Sequence, residues 1–219
     1  MLRLQRRETE GDPRLISVEE ARGFYEENEG AHDFDHVLRV LNLAERIGAA
    51  EGADMEIVRT ATLLHDIYRS QEIRGGGCHA QAGAEGVRQI LSGWPVEKVE
   101  AVAHAVEAHR FRGSVRPKTL EAQVLYDADK LDSIGAIGVA RAYMMAGKLG
   151  QRLWTEIPED ASAEKNPLTA EHSAPIEFEV KLKKVKESLF TEAAKSIAEE
   201  RHRFMAEFFA RLEEEVEGR

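Results

Sequence analysis

The stretch Thr60-Ala61-Thr62-Leu63-Leu64-His65-Asp66-Ile67-Tyr68 most constrains how this chain can fold. Ahead of the His-Asp pair it offers almost no polar face, and a helix that is apolar nearly all round belongs in a core. Apolar spacing elsewhere is helical too, with no convincing period-two alternation between hairpin turns, so an all-α fold is predicted. An unpaired Asp66 carboxylate in such a helix would cost several kcal/mol or be forced neutral. Helix caps or an arginine satisfy it, with His65 hydrogen-bonded alongside, or a divalent cation does, since a bound metal holds carboxylates ionised. The pair alone supports both readings equally.

Composition narrows the partners. With 219 residues, 42% of them hydrophobic and 32% charged, the chain suits one ample globular domain or two small ones. No stretch approaches the roughly 18 consecutive apolar residues of a membrane span. The opening Met1-Leu2-Arg3-Leu4-Gln5-Arg6-Arg7-Glu8 is charged and lacks the apolar segment of a secretory signal. A single cysteine, Cys78, makes no internal disulfide, which fits a reducing cytoplasm. A formal charge of −10 argues against extended nucleic acid as a partner. It leaves room for a small phosphorylated ligand received by a few local cations and a metal.

Along the chain, Ser17 and Glu20 form a Ser-x-x-Glu capping box ahead of a first helix of about ten residues carrying Val18, Ala21 and Tyr25. Asn28-Glu29-Gly30 breaks the chain, and Ala31 to Asp35 lead into a long amphipathic helix. There His36 lies in line with Val40, Leu43, Ala44 and Ile47, so its ring faces the core. Asp54 caps a helix running from Met55 to about Tyr68, which delivers His65 and Asp66 near its end. Adjacent helical side chains diverge by about 100°, so both reach one ion only if it sits in the sector between them. Ser70 to Cys78, with three successive glycines, reads as a flexible loop, either a mobile rim or inert surface.

His79, Gly83, Gly86 and Ile90 then share a face whose glycines allow close approach, and Pro95 opens the next helix, which aligns Val99, Val102, Val106 and His109. His104 stands off that stripe, so His104 and His109 read as substrate or second-site groups rather than joint ligands. After Gly113 and Pro117, Thr119 caps a helix on which Leu125, Asp129 and Asp132 share a face, with Lys130 able to neutralise an acid locally. Ser133 to Gly150 reads as an apolar helix with Ile134, Ile137 and Ala140 in the core and Gly135 and Gly138 permitting close packing. A long polar loop from about Gln151 to Pro175, holding Pro158 and Pro167, suits a lid, an interface arm or disorder. Two helices follow, at about 176–190 and 191–215, the second with a stripe of Ile197, Phe204, Phe208 and Leu212 that either caps the domain or pairs two chains.

The ordered set His36, His65-Asp66 and Asp129 resembles the H…HD…D signature of the HD-domain metal-dependent phosphohydrolase superfamily. The settings Ala61 to Ile67 and Val124 to Asp132 make the match far more specific than a bare His-Asp pair. His79-Ala80, the run His104 to His109 and the run Leu120 to Arg141 are further similar to small single-domain bacterial members, among which are nucleotide pyrophosphohydrolases. The resemblance implies an HD-type helical bundle of about five core helices with flanking C-terminal helices, and it makes 1–219 a single domain: a metal-site core at about 15–150, a loop at about 151–175 and C-terminal helices at about 176–216. Arg110 departs from the pattern, which sets a small hydroxyl residue after the second histidine.

Implied with it are four metal ligands, His36, His65, Asp66 and Asp129, around a divalent ion. Ligand type does not separate manganese, magnesium, cobalt, nickel, zinc and iron. Asp66 is the candidate to orient or deprotonate a metal-activated water attacking a nucleotide or related phosphoester or phosphoanhydride. Candidates to meet the phosphate oxygens are His79, His104, His109, Lys130 and Arg69, with Arg39 behind them. Two other readings stand beside the hydrolase. One is an HD-type di-iron oxygenase with a second metal on the extra histidines, the other a nucleotide sensor without turnover.

Overall fold

A computed structural model describes residues 16–25, 34–110, 115–157, 169 and 171–219 of the chain. The 28–30 break, the charged opening residues, Gly113 and residues 158–168 and 170 of the 151–175 loop lie outside them. The described residues form helices and no strand, as the periodicity predicts.

In chain order the helices are α1 (Val18–Arg22), α2 (Phe34–Glu51), α3 (Met55–Leu64), α4 (Arg69–Ile73), α5 (His79–Ile90), α6 (Val96–Ala108), α7 (Leu120–Leu131), α8 (Gly135–Lys148), α9 (Ala174–Val180), a 3-10 helix (Leu182–Ser188) and α10 (Glu192–Val216). The capping box on α1 is present, as are side-chain caps from Asp54 on α3 and Thr119 on α7. Helix α3 is the central rod, packed on α1, α2, α6 and α7, with Thr60 to Leu64 all buried. The face led by His36 is buried through Val40, Leu43, Ala44 and Ile47. Close approach explains two glycines: a Cβ on Gly83 would stand 2.9 Å from Val106 Cγ1, and one on Gly86 would stand 2.5 Å from Tyr68 Cε2.

Several boundaries differ from those read in the sequence. Helix α1 has five residues, because the chain closes it at Gly23, whose N–H donates to the Glu20 carbonyl while the Phe24 N–H donates to that of Ala21. Helix α3 stops at Leu64 instead of continuing to Tyr68: His65 caps it, and the Arg69 N–H turns back to the Asp66 carbonyl at 2.9 Å. The first half of the expected flexible loop is therefore helix α4. In α8 the core residues are Gly138, Val139 and Ala146, whereas Ile137 and Ala140 face outward. Its start is displaced because Gly135 enters with φ +77, a left-handed conformation favouring glycine. The segment expected as a helix at 176–190 is split into α9 and the 3-10 helix at Lys181. On α10 the buried stripe runs through Ala194, Ile197, Ala198, Met205 and Phe209; Phe204 is 44% exposed, one position off the register, and Phe208 and Leu212 flank the core.

The two ends of the 151–175 segment are tied together. Gln151 donates its side-chain N–H to the Thr169 carbonyl at 2.9 Å, and the Thr155 and Ser173 hydroxyls meet at 2.7 Å. Among the described residues no helix is long and apolar enough to cross a membrane.

Candidate metal centre

Helix ends converge on one buried spot. His36 sits in the first turn of α2, His65 caps the C-terminus of α3, Asp66 occupies the turn after it, His79 opens α5, and His109 caps the C-terminus of α6. All five are buried. Their atoms form two groups whose ligand atoms lie within 4.8 Å of one another: His36, His65 and Asp66, and Asp66, His79 and His109.

Asp66 divides its carboxylate between them. Its Oδ2 lies 3.9 Å from His36 Nε2 and 3.7 Å from His65 Nε2, while its Oδ1 lies 3.3 Å from His79 Nε2 and 3.5 Å from His109 Nε2. All four rings turn Nε2 toward the carboxylate, because each Nδ1 is engaged behind. His65 Nδ1 donates to the Thr62 carbonyl at 2.8 Å and His109 Nδ1 to the Val106 carbonyl at 2.6 Å. His36 Nδ1 meets Asp132 Oδ2 at 2.8 Å, and His79 Nδ1 contacts Glu72 closely.

A divalent cation fits this donor set. His65 Nε2 is buried and has no hydrogen-bond partner among the described residues, and the bond at Nδ1 leaves its lone pair facing the site. His79 and His109 hold their Nε2 atoms 3.2 Å apart, a contact that needs a proton or a cation between two lone pairs. Imidazole and carboxylate donors with their outer nitrogens secured are what such ions take.

Electrostatics cut across that division. Burial opposes ionisation of Asp66, but His65, His109 and His79 outweigh it and hold the carboxyl well below the usual carboxylate range. Burial lowers His65 to about 4. His36 is drawn down by burial but raised more by Asp129 and Asp132, to about 9. His79 is raised as well, Asp66 overcoming its burial.

The other residues singled out in the sequence fall in different places. Asp129 lies with Oδ1 3.4 Å from His36 Nε2, but its Oδ2 accepts Lys130 Nζ at 2.6 Å and it belongs to neither close group. Lys130 also sits over the Tyr126 ring at 5.3 Å. Arg69 Nη1 stands 3.1 Å from His79 Nδ1 and 2.8 Å from Glu72. His104, read in the sequence as a substrate or second-site group, belongs to neither close group: its Nε2 accepts the Lys118 backbone N–H at 3.0 Å. Arg39 reaches Asp132, not the centre. Arg110 bridges Glu72 at 2.8 Å and the Cys78 sulfur at 3.2 Å.

Sequence reasoning gave no role to Asp132 or Glu72. Asp132 shares the Asp129 face, a usable signal, whereas Glu72 falls in a stretch that reads as loop.

Known proteins resemble the chain along most of its length. The HD domain family matches residues 33–134. The uncharacterized protein YpgQ of Bacillus subtilis is 35% identical over 192 residues, 85% of each chain. Its crystal structure in complex with ADP superposes with a TM-score of 0.69 at 31% identity, over 90% of this chain and 94% of that one. A predicted HD superfamily hydrolase from an uncultured Thermotogales bacterium gives 0.65 at 29% identity, covering 91% and 90%. Ribonuclease Y of Chloroflexus aurantiacus is 33% identical over 107 residues, 49% of this chain but 19% of that protein.

Proposed function

The chain belongs to the HD domain family, and from that premise we propose that it hydrolyses a phosphoester or phosphoanhydride bond of a nucleotide at a centre of one or two divalent cations. The observation that carries this reading is the Asp66 carboxylate between two histidine pairs, beside a buried His65 Nε2 with no protein partner among the described residues. A nucleotide as substrate is supported by the ADP complex of YpgQ.

When bound, such an ion supplies a water of lowered pKa and a Lewis-acidic contact to a phosphoryl oxygen. The chain's own groups do the rest. Asp66 stays anionic, so it orients a water by accepting its hydrogen bond. His36 and His65 turn Nε2 toward one oxygen of Asp66 and His79 and His109 toward the other, and these rings with Asp66 would hold the ion. Lys130 and Arg69, both partly exposed at the edge of the cluster, are placed to balance charge on the non-bridging oxygens of the substrate. Burial of the five residues excludes bulk water and strengthens each of these contacts.

The test is a panel of nucleoside mono- and triphosphates and cyclic dinucleotides with manganese, magnesium, cobalt or nickel, with products resolved as phosphate, pyrophosphate or nucleotide. Turnover of at least one is expected, and none with any ion contradicts the reading. Asp66→Ala and His65→Ala should each lose bound metal and lower the rate by about a thousandfold. Unchanged metal content and rate in both variants would refute the site.

The group Asp66, His79 and His109 favours a second reading, a di-iron oxygenase. Two irons per chain, oxygen consumption and no phosphate release would establish it over hydrolysis.

A further inference from the structure

The four rings are oriented by two kinds of partner. His65 and His109 each end a helix and donate to the carbonyl three residues back, so their aim is set by the helix itself. His36 and His79 lie at helix starts, and each turns Nδ1 to a carboxylate from another element. Each carboxylate is in turn held by two arginines. Arg39 and Arg141 both reach Asp132 at 2.8 Å, and Arg69 and Arg110 both reach Glu72 at 2.8 Å. Each half of the centre therefore has one ring fixed by backbone and one fixed by an arginine-braced carboxylate.

The settings of the two carboxylates differ. Asp132 is 1% exposed and caps the C-terminus of α7, which packs on α2, α3, α6 and α10. Glu72 is 20% exposed and lies on the five-residue α4, which leads directly to Gly75 at φ +90 and the two glycines after it. A carboxylate behind a ligating histidine fixes the ring and raises its basicity, and its loss costs about 10–100-fold in metal affinity. A brace on a short, partly exposed element does this less firmly than one in a helix bundle.

We propose that Glu72 is the positioning residue of an exchangeable cation site formed by Asp66, His79 and His109, and that Asp132 serves a more firmly held site formed by His36, His65 and Asp66. This rests on the metal-centre reading above, in its two-ion form. The centre then has one resident ion and one that comes and goes with α4. Arg69 and Arg110 bind the outer face of Glu72, so an anion that draws them away alters the brace as well as meeting the arginines.

The full chain, stripped with a chelator and dialysed, is titrated with manganese chloride by calorimetry. Low-temperature paramagnetic resonance reports whether the ions are paired. Two steps are expected, the second weaker and accompanied by a spin-coupled signal. Glu72→Gln should weaken the second step by about 10–100-fold, abolish the coupled signal and leave the first step unchanged. Asp132→Asn should weaken the first step. Arg110→Gln, which loosens Glu72 from outside, should weaken the second step by a smaller factor and keeps the test decisive if Glu72→Gln melts early. If the natural chain binds two ions and Glu72→Gln alters neither step, or both equally, the assignment of Glu72 is overturned while the two-ion reading stands. If the natural chain binds one ion, both fall together.

Discussion

His36 and His65 sit 5.5 Å apart, ring to ring, yet titrate in opposite directions in the metal-free chain, one raised to about 9 and the other lowered to about 4. The raised ring contributes stability that is complete below its unfolded value of about 6.5 and lost as pH climbs through 9. The lowered ring does the reverse: as pH falls from about 6.5 toward 4 the unfolded chain takes up a proton that the folded chain refuses. Melting of the metal-free chain should therefore be highest near pH 6.5, with the midpoint lower by roughly 5 °C or more at pH 5 and at pH 9. A flat profile would contradict the assigned environments. At this scale the sequence was informative where periodicity could aim a side chain, as for His36 on its buried stripe and His109 in line with Val99, Val102 and Val106. It was silent where a residue works through a partner distant in the chain. Glu72 matters because of His79, Arg69 and Arg110, and nothing in Ser70 to Cys78 announces that convergence.

Elements were legible in kind and less so in extent. Helix α3 was recognisable as a core rod because its composition left it nowhere else to go, but its stop at Leu64 depends on the turn through Asp66, a local choice that hydrophobic spacing does not encode. That turn packs Tyr68 against α5 at Gly86. In Gly86→Ala the new methyl meets the Tyr68 ring at 2.5 Å, so a net loss of about 1–3 kcal/mol is expected despite the better helix propensity of alanine. Denaturant unfolding would measure it, and a gain in stability would show that Tyr68 moves freely. At the other end of the molecule Asp127, fully buried on α7, accepts the Phe190 and Thr191 backbone N–H groups and the Thr191 hydroxyl, and so anchors the entry to α10. Asp127→Ala leaves those donors unpaired and should cost about 2–4 kcal/mol, a fall of roughly 5–10 °C in the melting midpoint. Unchanged melting would mean that water replaces the carboxylate.

Across the molecule, one cluster of buried apolar residues runs from Val40 and Ala61 through Val102 and Leu125 to Phe178 and Met205. Chain ending at Gly150 would expose the faces that α9 and α10 cover, so we expect it to aggregate or lose cooperative unfolding, and a sharp melt from it would argue for an independent core. The all-α architecture could be read from spacing alone, whereas the split of α9 and the register of α10 could not, because both are set by what they pack against. Arg141 joins Asp132 from α8, and Asp132 holds His36, so the ion pocket is fastened to a helix that carries the exposed Ile137 and Met144 about one turn to either side of Arg141. Filling the pocket should therefore stiffen that distant surface. Slower amide exchange in α8 on adding manganese would register it, making an outer helix a reporter of what the buried centre contains.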